Sequence, residues 1–331
     1  MGTDGRPVSA SQPAAGDFRG LDFSRIWKDR GQVTTLESRV LARALATTDR
    51  RRVLEAGCGD GRLSTTVQAG ATEYLGVDLV PEFLAKVPLP GPAGPRFRMI
   101  VADVRRLPFA SESVTACVMV RAFNFLADPG PALTEIRRVL VPGGRAVVTS
   151  HVHPSLGTLA DDVRYTLRPP SWSPYRRVGL DQTPRRGASP TVFPTWTWSR
   201  SALRRLSNSA GFLLVGELAT GLEEYPGLRR LPPRVLEPFA EAAGSHWGLP
   251  MRWLVLERPG RLPKSLPPWR EVLSCPVCHA RAEGPVGRGL PSAPCDSCGF
   301  RFRDAGGLLD ARYETGGGAP TNGLAPVSGG V

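Results

Sequence analysis

The chain has little of several residue types, and each shortage excludes a class of protein. Its 331 residues contain no apolar run of about 18 residues, which is roughly the length that a membrane-spanning helix needs. Its start, Met1-Gly-Thr-Asp-Gly-Arg, lacks the pattern of a secretory signal peptide. We therefore expect a cytoplasmic protein with no transmembrane segment.

Lysine is scarce although the chain is strongly basic. The formal net charge is +12, yet only Lys28, Lys86 and Lys264 contribute lysines to the 42 basic residues. Arginine is abundant together with glycine, proline and alanine, as codon bias in a GC-rich genome would produce. The net charge alone is therefore weak evidence for an anionic partner.

The most informative pattern is a glycine-rich turn between a buried strand and a helix start. Val53-Leu-Glu-Ala-Gly-Cys-Gly-Asp-Gly61 supplies Gly57, Gly59 and Gly61, which lack Cβ and let the backbone approach a flat ligand closely. The next strand, Tyr74-Leu-Gly-Val-Asp78, ends in an acid. A carboxylate at that place can accept hydrogen bonds from both hydroxyls of a ribose. The spacing predicts a nucleoside site.

A carboxylate beside the turn indicates which nucleoside. Glu55 stands two residues before Gly57, where it would repel a pyrophosphate but suits the ammonium and sulfonium charges of S-adenosylmethionine (SAM). Here the sequence resembles the class I SAM-dependent methyltransferases, over roughly residues 33–259. The resemblance implies an α/β fold with a doubly wound, Rossmann-like sheet of seven strands, and SAM as the cofactor.

Three downstream segments extend the resemblance. Ile100-Val-Ala-Asp103-Val resembles the third-strand motif, whose acid contacts the adenine amino group. Val114-Thr-Ala-Cys-Val-Met-Val120 resembles the fourth strand, and Pro142-Gly-Gly-Arg-Ala-Val-Val-Thr149 resembles the Pro-Gly-Gly turn and fifth strand. The resemblance implies these cofactor-binding residues: Glu55, Gly57, Cys58, Gly59, Gly61, Asp78, Leu79, Asp103 and Val104.

A basic, aromatic segment spans residues 161–206. It has nine arginines against three acids, a net charge of +6, and it holds Tyr165, Trp172, Tyr175, Phe193, Trp196 and Trp198. In the resembling family this part of the chain often forms a lid over the acceptor pocket. Guanidinium groups among aromatic rings suit an anionic, flat or nucleic-acid acceptor. Alternatively, the aromatic rings pack the lid onto the domain and the arginines are solvated.

Four cysteines near the end predict a metal site. Cys275-Pro-Val-Cys278 and Cys295-Asp-Ser-Cys298 are two C-x₂-C pairs with the spacing of a zinc ribbon. Four thiolates complete a tetrahedron around Zn²⁺ and leave no position for water, so the site is expected to be structural. The tail Phe300–Asp310 resembles small zinc modules that serve as protein partners of methyltransferases.

Candidate catalytic residues follow the fourth and fifth strands. Arg121 could bind an anionic substrate, and Asn124 could orient a carbonyl or hydroxyl group. His151 and His153 could act as general bases, because imidazole titrates near neutral pH. Each could equally have only a structural role. The segment lacks the (Asn/Asp)-Pro-Pro-(Tyr/Phe) signature that amino-group methyltransferases use, which makes DNA adenine or glutamine-amide acceptors improbable.

The remaining patterns predict the domain organisation. Thr34-Thr-Leu-Glu37 looks like a capping box that opens a helix through Leu45. We expect a disordered N-terminus (1–17), a methyltransferase domain (18–260), a Pro-rich linker (261–271), a zinc ribbon (272–313) and a disordered tail (314–331).

Three functions remain open at this level. The first is a methyltransferase acting on a small-molecule or lipid-like acceptor, similar to the quinone-biosynthesis enzymes. The second is an RNA methyltransferase whose basic lid and zinc ribbon bind the nucleic acid. The third is a non-catalytic SAM-fold scaffold whose ribbon docks a protein partner.

Overall fold

The computed structural model describes residues 31–91, 94–152, 182–184, 196–221, 231–242, 249–282 and 294–313. Its helices are α1 (Gly31–Ala44), α2 (Ser64–Gln68), α3 (Pro81–Leu84), α4 (Gly130–Val139), α5 (Arg200–Ser209) and α6 (Pro233–Ala242), and 3₁₀ helices span Phe123–Phe125 and Trp269–Glu271. Its strands are β1 (Arg52–Ala56), β2 (Glu73–Asp78), β3 (Arg96–Val101), β4 (Val114–Met119), β5 (Leu140–His151), β6 (Gln182–Pro184), β7 (Trp196–Trp198), β8 (Leu213–Thr220), β9 (Met251–Glu257), β10 (Arg303–Asp304) and β11 (Leu309–Asp310).

Nine of these strands form one mixed sheet in the order β10-β11-β3-β2-β1-β4-β5-β9-β8. The run β3-β2-β1-β4-β5 is parallel, and β9 lies antiparallel between β5 and β8. The seven strands from β3 to β8 are the predicted Rossmann-like sheet, so the fold class is confirmed. The strand order reverses between β1 and β4, where the carboxyl ends of parallel strands open a crevice.

Apolar side chains cover both faces of the sheet. Every residue of β1 is buried, as expected of a parallel strand with helices on both sides. One apolar cluster includes Leu54 and Ile136 of α4, and the other includes Leu41 of α1 and Trp253. The strand ends, rather than the faces, are therefore available for a ligand.

Helix α1 differs from its prediction. It begins at Gly31, and its buried residues are Val33, Leu36, Glu37, Val40, Leu41 and Ala44, the stripe of an amphipathic helix. Glu37 lies on this inner face and binds Arg62 and Arg121. The predicted capping box at Thr34 is therefore wrong, because its acid is committed to the protein interior.

The predicted Pro-rich linker packs against the amino ends of the strands. Arg51 donates a hydrogen bond to the carbonyl of Pro263 at 2.8 Å, and Arg52 donates to the carbonyl of Pro267 at 2.9 Å. The ring of Trp269 lies 5.7 Å from the Arg52 guanidinium, within cation–π range. The Pro-rich segment is thus attached to the sheet by hydrogen bonds from Arg51 and Arg52.

The C-terminal strands extend the same sheet. Strand β11 pairs parallel with β3, with Leu309 opposite Ile100 and Asp310 opposite Val101. The amide of Ala311 continues the ladder by donating to the carbonyl of Val101 at 2.8 Å. The sequence predicted a small ribbon after the sheet, but it did not predict that the ribbon would contribute strands to the sheet.

Several predictions lie outside the described residues. They concern the ends 1–17 and 314–331 and, within the expected lid, residues 161–181 and 185–195. Disorder at the ends and a lid over the acceptor stay predictions.

Candidate active site

The glycine turn after β1 has three residues in the left-handed region, with φ of 73° at Gly57, 57° at Gly59 and 81° at Gly61. A Cβ on Gly57 would lie 2.6 Å from Cβ of Ala122, and one on Gly61 would lie 2.6 Å from Cδ of Pro88. A Cβ on Gly59 would meet nothing within 4 Å. Two glycines therefore allow protein to pack on protein, and Gly59 faces the space that a ligand can enter.

Asp78 fixes this turn from the end of β2. Its Oδ2 accepts the N–H of Gly59 at 2.9 Å, and its Oδ1 accepts the N–H of Val80 at 3.1 Å. Burial raises the pKa of Asp78 to about 6, although the backbone hydrogen bonds partly oppose the shift. Each carboxylate oxygen retains a lone pair that a ribose hydroxyl could use.

Glu55 is a buried carboxyl group beside the turn. Its Oε2 accepts hydrogen bonds from the hydroxyls of Ser64 and Tyr74, both at 2.7 Å. Burial raises the pKa of Glu55 to about 7, against the lowering effect of these two hydrogen bonds. A cation brought nearby would favour the ionised form and return the pKa toward its ordinary value.

Asp103 follows β3, the next strand of the sheet. The amide of the preceding Ala102 donates to the carbonyl of Asp78 at 2.9 Å, which connects the ends of β2 and β3. Both oxygens of the Asp103 carboxylate accept from Nε of Arg105 at 2.9 Å. The predicted adenine-binding acid is therefore held in place by an arginine two residues further on.

The nine predicted cofactor-binding residues thus lie at the carboxyl ends of three adjacent strands, β1, β2 and β3. Cys58 is buried within the glycine turn, and burial raises the pKa of its thiol. A buried, protonated thiol packs as a small apolar side chain. The cofactor-binding roles themselves stay predictions.

Arg121, a predicted catalytic residue, is engaged by an acid. Its Nε donates to Oε1 of Glu37 at 2.8 Å, and its backbone N–H donates to Oγ1 of Thr149 at 2.7 Å. Arg121 also has a φ of 58°, which is uncommon for a residue with a Cβ. Arg62 from the glycine turn binds the second oxygen of Glu37. The arrangement joins α1, the glycine turn and the end of β4.

Asn124, the second candidate, lies in the 3₁₀ helix after β4 and is 3% exposed. Its Nδ2 donates to the carbonyl of Trp196 at 2.7 Å. Its Oδ1 is buried and accepts no hydrogen bond from the described residues. The indole N–H of Trp198 is also buried, and it donates no hydrogen bond to the described residues. Two buried polar atoms, one of them in the 3₁₀ helix after β4, thus have no hydrogen-bond partner among the described residues.

Of the two histidine candidates, only His151 lies within the described residues. His151 is the last residue of β5, where it pairs with Met251, and it is buried. Alternation along β5 places it on the same face as Thr149, the residue that binds Arg121. His153 lies outside the described residues. A role as general base stays a prediction for both.

Two arginines of the expected lid are bound by an acid. Arg200 and Arg204 of α5 form ion pairs with Glu217 at 2.9 Å and 3.4 Å. Arg252, buried in β9, lies 3.6 Å from the same carboxylate, and burial lowers its pKa to about 10. The two ion pairs of Glu217 connect helix α5 to strand β8 of the sheet.

The four predicted zinc ligands converge. The Sγ atoms of Cys275, Cys278, Cys295 and Cys298 all lie within 4.8 Å of one another. Sγ of Cys275 lies 3.4 Å from Sγ of Cys298, and Sγ of Cys278 lies 3.4 Å from Sγ of Cys295. A tetrahedron with Zn–S bonds of about 2.3 Å has sulfurs about 3.8 Å apart. The four thiols, which form no disulfide, therefore fit Zn²⁺.

His279 follows the first cysteine pair but does not belong to this cluster. Its Nε2 lies 3.7 Å from Oε1 of Glu135. The backbone at His279 has a φ of 61°. His279 is therefore not among the candidate metal ligands of the described residues.

The end of the ribbon contacts the loops that follow β2 and β3. Arg312 binds the carboxylate of Asp310 and also donates from Nη1 to the carbonyl of Leu79 at 3.3 Å. The ring of Tyr313 lies 5.0 Å from the guanidinium of Arg106. Leu79 and Arg106 belong to the loops after β2 and β3, so the ribbon supports the same loops that carry Asp78 and Asp103.

Sequence reasoning missed Glu37, Arg62 and Arg312. Glu37 had a signal, because an acid on the apolar stripe of a helix must find a partner when it is buried. Arg62 and Arg312 had none, since their roles depend on contacts with residues 25 or more positions away in the chain.

Residues 54–148 match a family model described as "Methyltransferase domain". An uncharacterised methyltransferase of Mycobacterium bovis is 34% identical over 95 residues, which cover 29% of this chain and 37% of that protein. A "Ubiquinone/menaquinone biosynthesis C-methyltransferase UbiE" of Syntrophotalea carbinolica is 34% identical over 121 residues, which cover 36% of this chain and 51% of that protein. The matched part therefore spans about half or less of these relatives.

A solved structure shows the same fold. That structure is of a SAM-dependent methyltransferase from Thermotoga maritima, which is described as a possible histamine N-methyltransferase. It has a TM-score of 0.51 at 18% identity, over 73% of this chain and 99% of that one. Within the described part of this chain, no helix is long and apolar enough to cross a membrane.

Proposed function

We propose that the chain transfers a methyl group from SAM to a small-molecule or lipid-like acceptor, because residues 54–148 match a methyltransferase family model and the fold is that of a SAM-dependent methyltransferase. One observation carries the proposal: Asp78 holds the N–H of Gly59 at 2.9 Å, and the position of a Cβ on Gly59 is open. The turn is thus fixed on one side and free on the other.

Each polar group of the site has a separate task. Asp78 would bind the ribose hydroxyls, Asp103 would meet the adenine amino group, and Glu55 would offer negative charge to the cationic end of the cofactor. SAM, when bound, supplies an activated methyl group. The transfer is an in-line displacement that depends mainly on alignment of the acceptor, so the protein has to orient both molecules more than it has to move a proton.

A small acceptor is favoured over RNA. The relative named as a ubiquinone/menaquinone C-methyltransferase supports a ring-shaped small molecule. The RNA alternative depended on the arginines of the lid, and Arg200 and Arg204 pair with Glu217. Arginines bound by a protein carboxylate are less available to phosphate groups, which dominate the affinity for nucleic acids.

We propose a structural Zn²⁺ held by Cys275, Cys278, Cys295 and Cys298, whose sulfurs have the required mutual distances. With four protein thiolates, the metal would have no free position for substrate or water. The metal would crosslink two turns of the ribbon. All six thiols of the chain are free, which suits a reducing, cytoplasmic compartment.

Cofactor binding tests the first half of the proposal. Asp78→Ala should weaken SAM and S-adenosylhomocysteine at least tenfold, because hydrogen bonds to a charged group contribute about 1.5–3 kcal/mol each. Glu82→Ala removes an exposed acid four residues away and serves as the matched control. Equal affinities for wild type and Asp78→Ala in titration calorimetry would disprove the assignment.

Loss of the gene tests the second half. Mass spectrometry of metabolites and RNA from cells with and without the gene should reveal one missing methyl group on a small molecule. A methyl group missing from RNA would replace the acceptor by a nucleic acid. Tight SAM binding with no missing methyl group would instead favour the non-catalytic scaffold.

A further inference from the structure

The most informative unused feature is the pair of buried polar atoms between the 3₁₀ helix Phe123–Phe125 and β7. Nδ2 of Asn124 donates to the carbonyl of Trp196 at 2.7 Å. A carbonyl oxygen can only accept a hydrogen bond, so this contact fixes which way the amide points. Oδ1 of Asn124 must face away from Trp196, and it has no donor among the described residues.

The second atom is the indole N–H of Trp198, two residues further along β7. It is buried, and no acceptor for it exists in the described part of the chain. The indole ring makes an edge-to-face contact with Phe123, the neighbour of Asn124, with ring centroids 6.3 Å apart. The ring that carries this N–H thus packs against the 3₁₀ helix that carries Asn124.

This 3₁₀ helix adjoins the cofactor turn. Ala122 precedes Phe123 and packs so closely on the turn that a Cβ on Gly57 would lie 2.6 Å from the Ala122 Cβ. Trp198 also forms a bridge with Val152, just beyond the end of β5. The pair thus lies at the carboxyl ends of β4 and β5, beside the predicted cofactor cradle.

We propose that Asn124 and Trp198 determine the acceptor: they bind a neutral hydroxyl group on a planar ring and select against anionic groups. The inference rests on the proposed methyltransferase function. A hydroxyl group can donate to Oδ1 of Asn124 and accept from the N–H of Trp198. A carboxylate or phosphate oxygen has no proton for Asn124, and a site with buried polar groups rejects a molecule that leaves one of them unpaired.

Three probes of equal ring size separate these requirements. 2-Naphthol both donates and accepts, 2-methoxynaphthalene only accepts, and 2-naphthoate carries a charge. Binding to the full chain saturated with S-adenosylhomocysteine should follow that order, with 2-naphthol at least tenfold tighter than 2-methoxynaphthalene. Equal binding of the first two, tighter binding of 2-naphthoate, or no binding of 2-naphthol would overturn the proposal.

Trp198→Phe keeps an aromatic ring and removes the N–H together with part of the indole. It should weaken 2-naphthol about tenfold and leave S-adenosylhomocysteine within twofold. Trp196→Phe is the matched control, because it changes the same residue type on the same strand, while the carbonyl that holds Asn124 stays in place. An unaltered 2-naphthol affinity in Trp198→Phe would contradict the proposed role of Trp198. Failure of the wild-type chain to bind S-adenosylhomocysteine would instead count against the proposed function.

Discussion

Arg121 and Glu37 form a buried ion pair that joins the end of β4 to helix α1, with Nε of Arg121 2.8 Å from Oε1 of Glu37. Burial raises the pKa of Glu37, but Arg121 and Arg62 more than offset this effect and hold it below its ordinary value. Glu37 is therefore ionised at neutral pH. Arg121 thus pairs with a carboxylate of the protein, and its role in binding an anionic substrate stays a prediction.

Replacing Glu37 tests how much this arrangement stabilises the fold. Glu37→Gln keeps the shape of the side chain but leaves the guanidinium groups of Arg62 and Arg121, which are 14% and 15% exposed, without a counter-charge. We expect the free energy of unfolding to fall by about 3–5 kcal/mol, measured by chemical denaturation. Glu82→Gln, at an exposed site, should change it by less than about 0.5 kcal/mol. A loss in Glu37→Gln as small as in the control would contradict the ion-pair assignment.

The glycines of the turn should respond differently to a methyl group. Gly57→Ala meets Ala122 at 2.6 Å and should lower Tm strongly, and the second change Ala122→Gly should recover part of that loss. Gly59→Ala meets no atom within 4 Å, so it should cost only about 1 kcal/mol for its left-handed backbone, yet weaken SAM. Thermal melts and calorimetry together check this. Equal Tm losses at both positions would refute the distinction.

Glu55 should make SAM binding depend on pH. Its raised pKa of about 7 means that below pH 7 the folded apo protein holds a proton that the unfolded chain releases near pH 4.5. This contribution to apo stability therefore falls as pH rises toward 7. A bound cation favours ionised Glu55, so SAM affinity should rise about tenfold from pH 6 to pH 8.

The control for this prediction is Glu55→Gln. Comparing it with wild type cancels the titration of the ligand and that of Asp78, whose pKa is about 6, so the pH dependence should be shallower in the variant. Calorimetry in buffers with different ionisation enthalpies should also detect less proton release on binding in the variant than in the wild type. An identical pH profile in both proteins would show that Glu55 does not face the cationic end of SAM.

Metal removal should affect the cofactor site as well as the ribbon. Chelation frees the four cysteines, and the ribbon end loses the restraint that keeps Arg312 on the carbonyl of Leu79 at 3.3 Å. We expect a lower Tm and a severalfold weaker affinity for S-adenosylhomocysteine, reversed by added Zn²⁺. Arg312→Ala should weaken the cofactor while the metal stays bound. Unchanged affinity in the metal-free protein would show that the ribbon and the cofactor loops act independently.

Local patterns predicted the parts of this molecule that depend on neighbouring residues. The glycine turn, the acid Asp78 at the end of β2 and the two C-x₂-C pairs are close in sequence, and their chemistry requires those residue types at that spacing. The doubly wound sheet of seven strands followed from the resemblance to a known family. These features could be placed before any contact was known.

Contacts between distant segments could not be predicted. The Thr34…Glu37 pattern fits a capping box, but tertiary packing overrode the local preference and turned Glu37 toward Arg62 and Arg121. The indole N–H of Trp198 is informative only because Asn124 lies nearby, 74 positions earlier in the chain. No short-range spacing carries that information.

The pairing of β11 with β3 has a further consequence for behaviour in concentrated solution. Without the ribbon, the end of β3 at Ile100 and Val101 would be an unpaired edge, whose free N–H and C=O groups can recruit a strand from another molecule. The ribbon therefore guards this edge against intermolecular association, and a chain that loses its thiolate site should precipitate before its core unfolds.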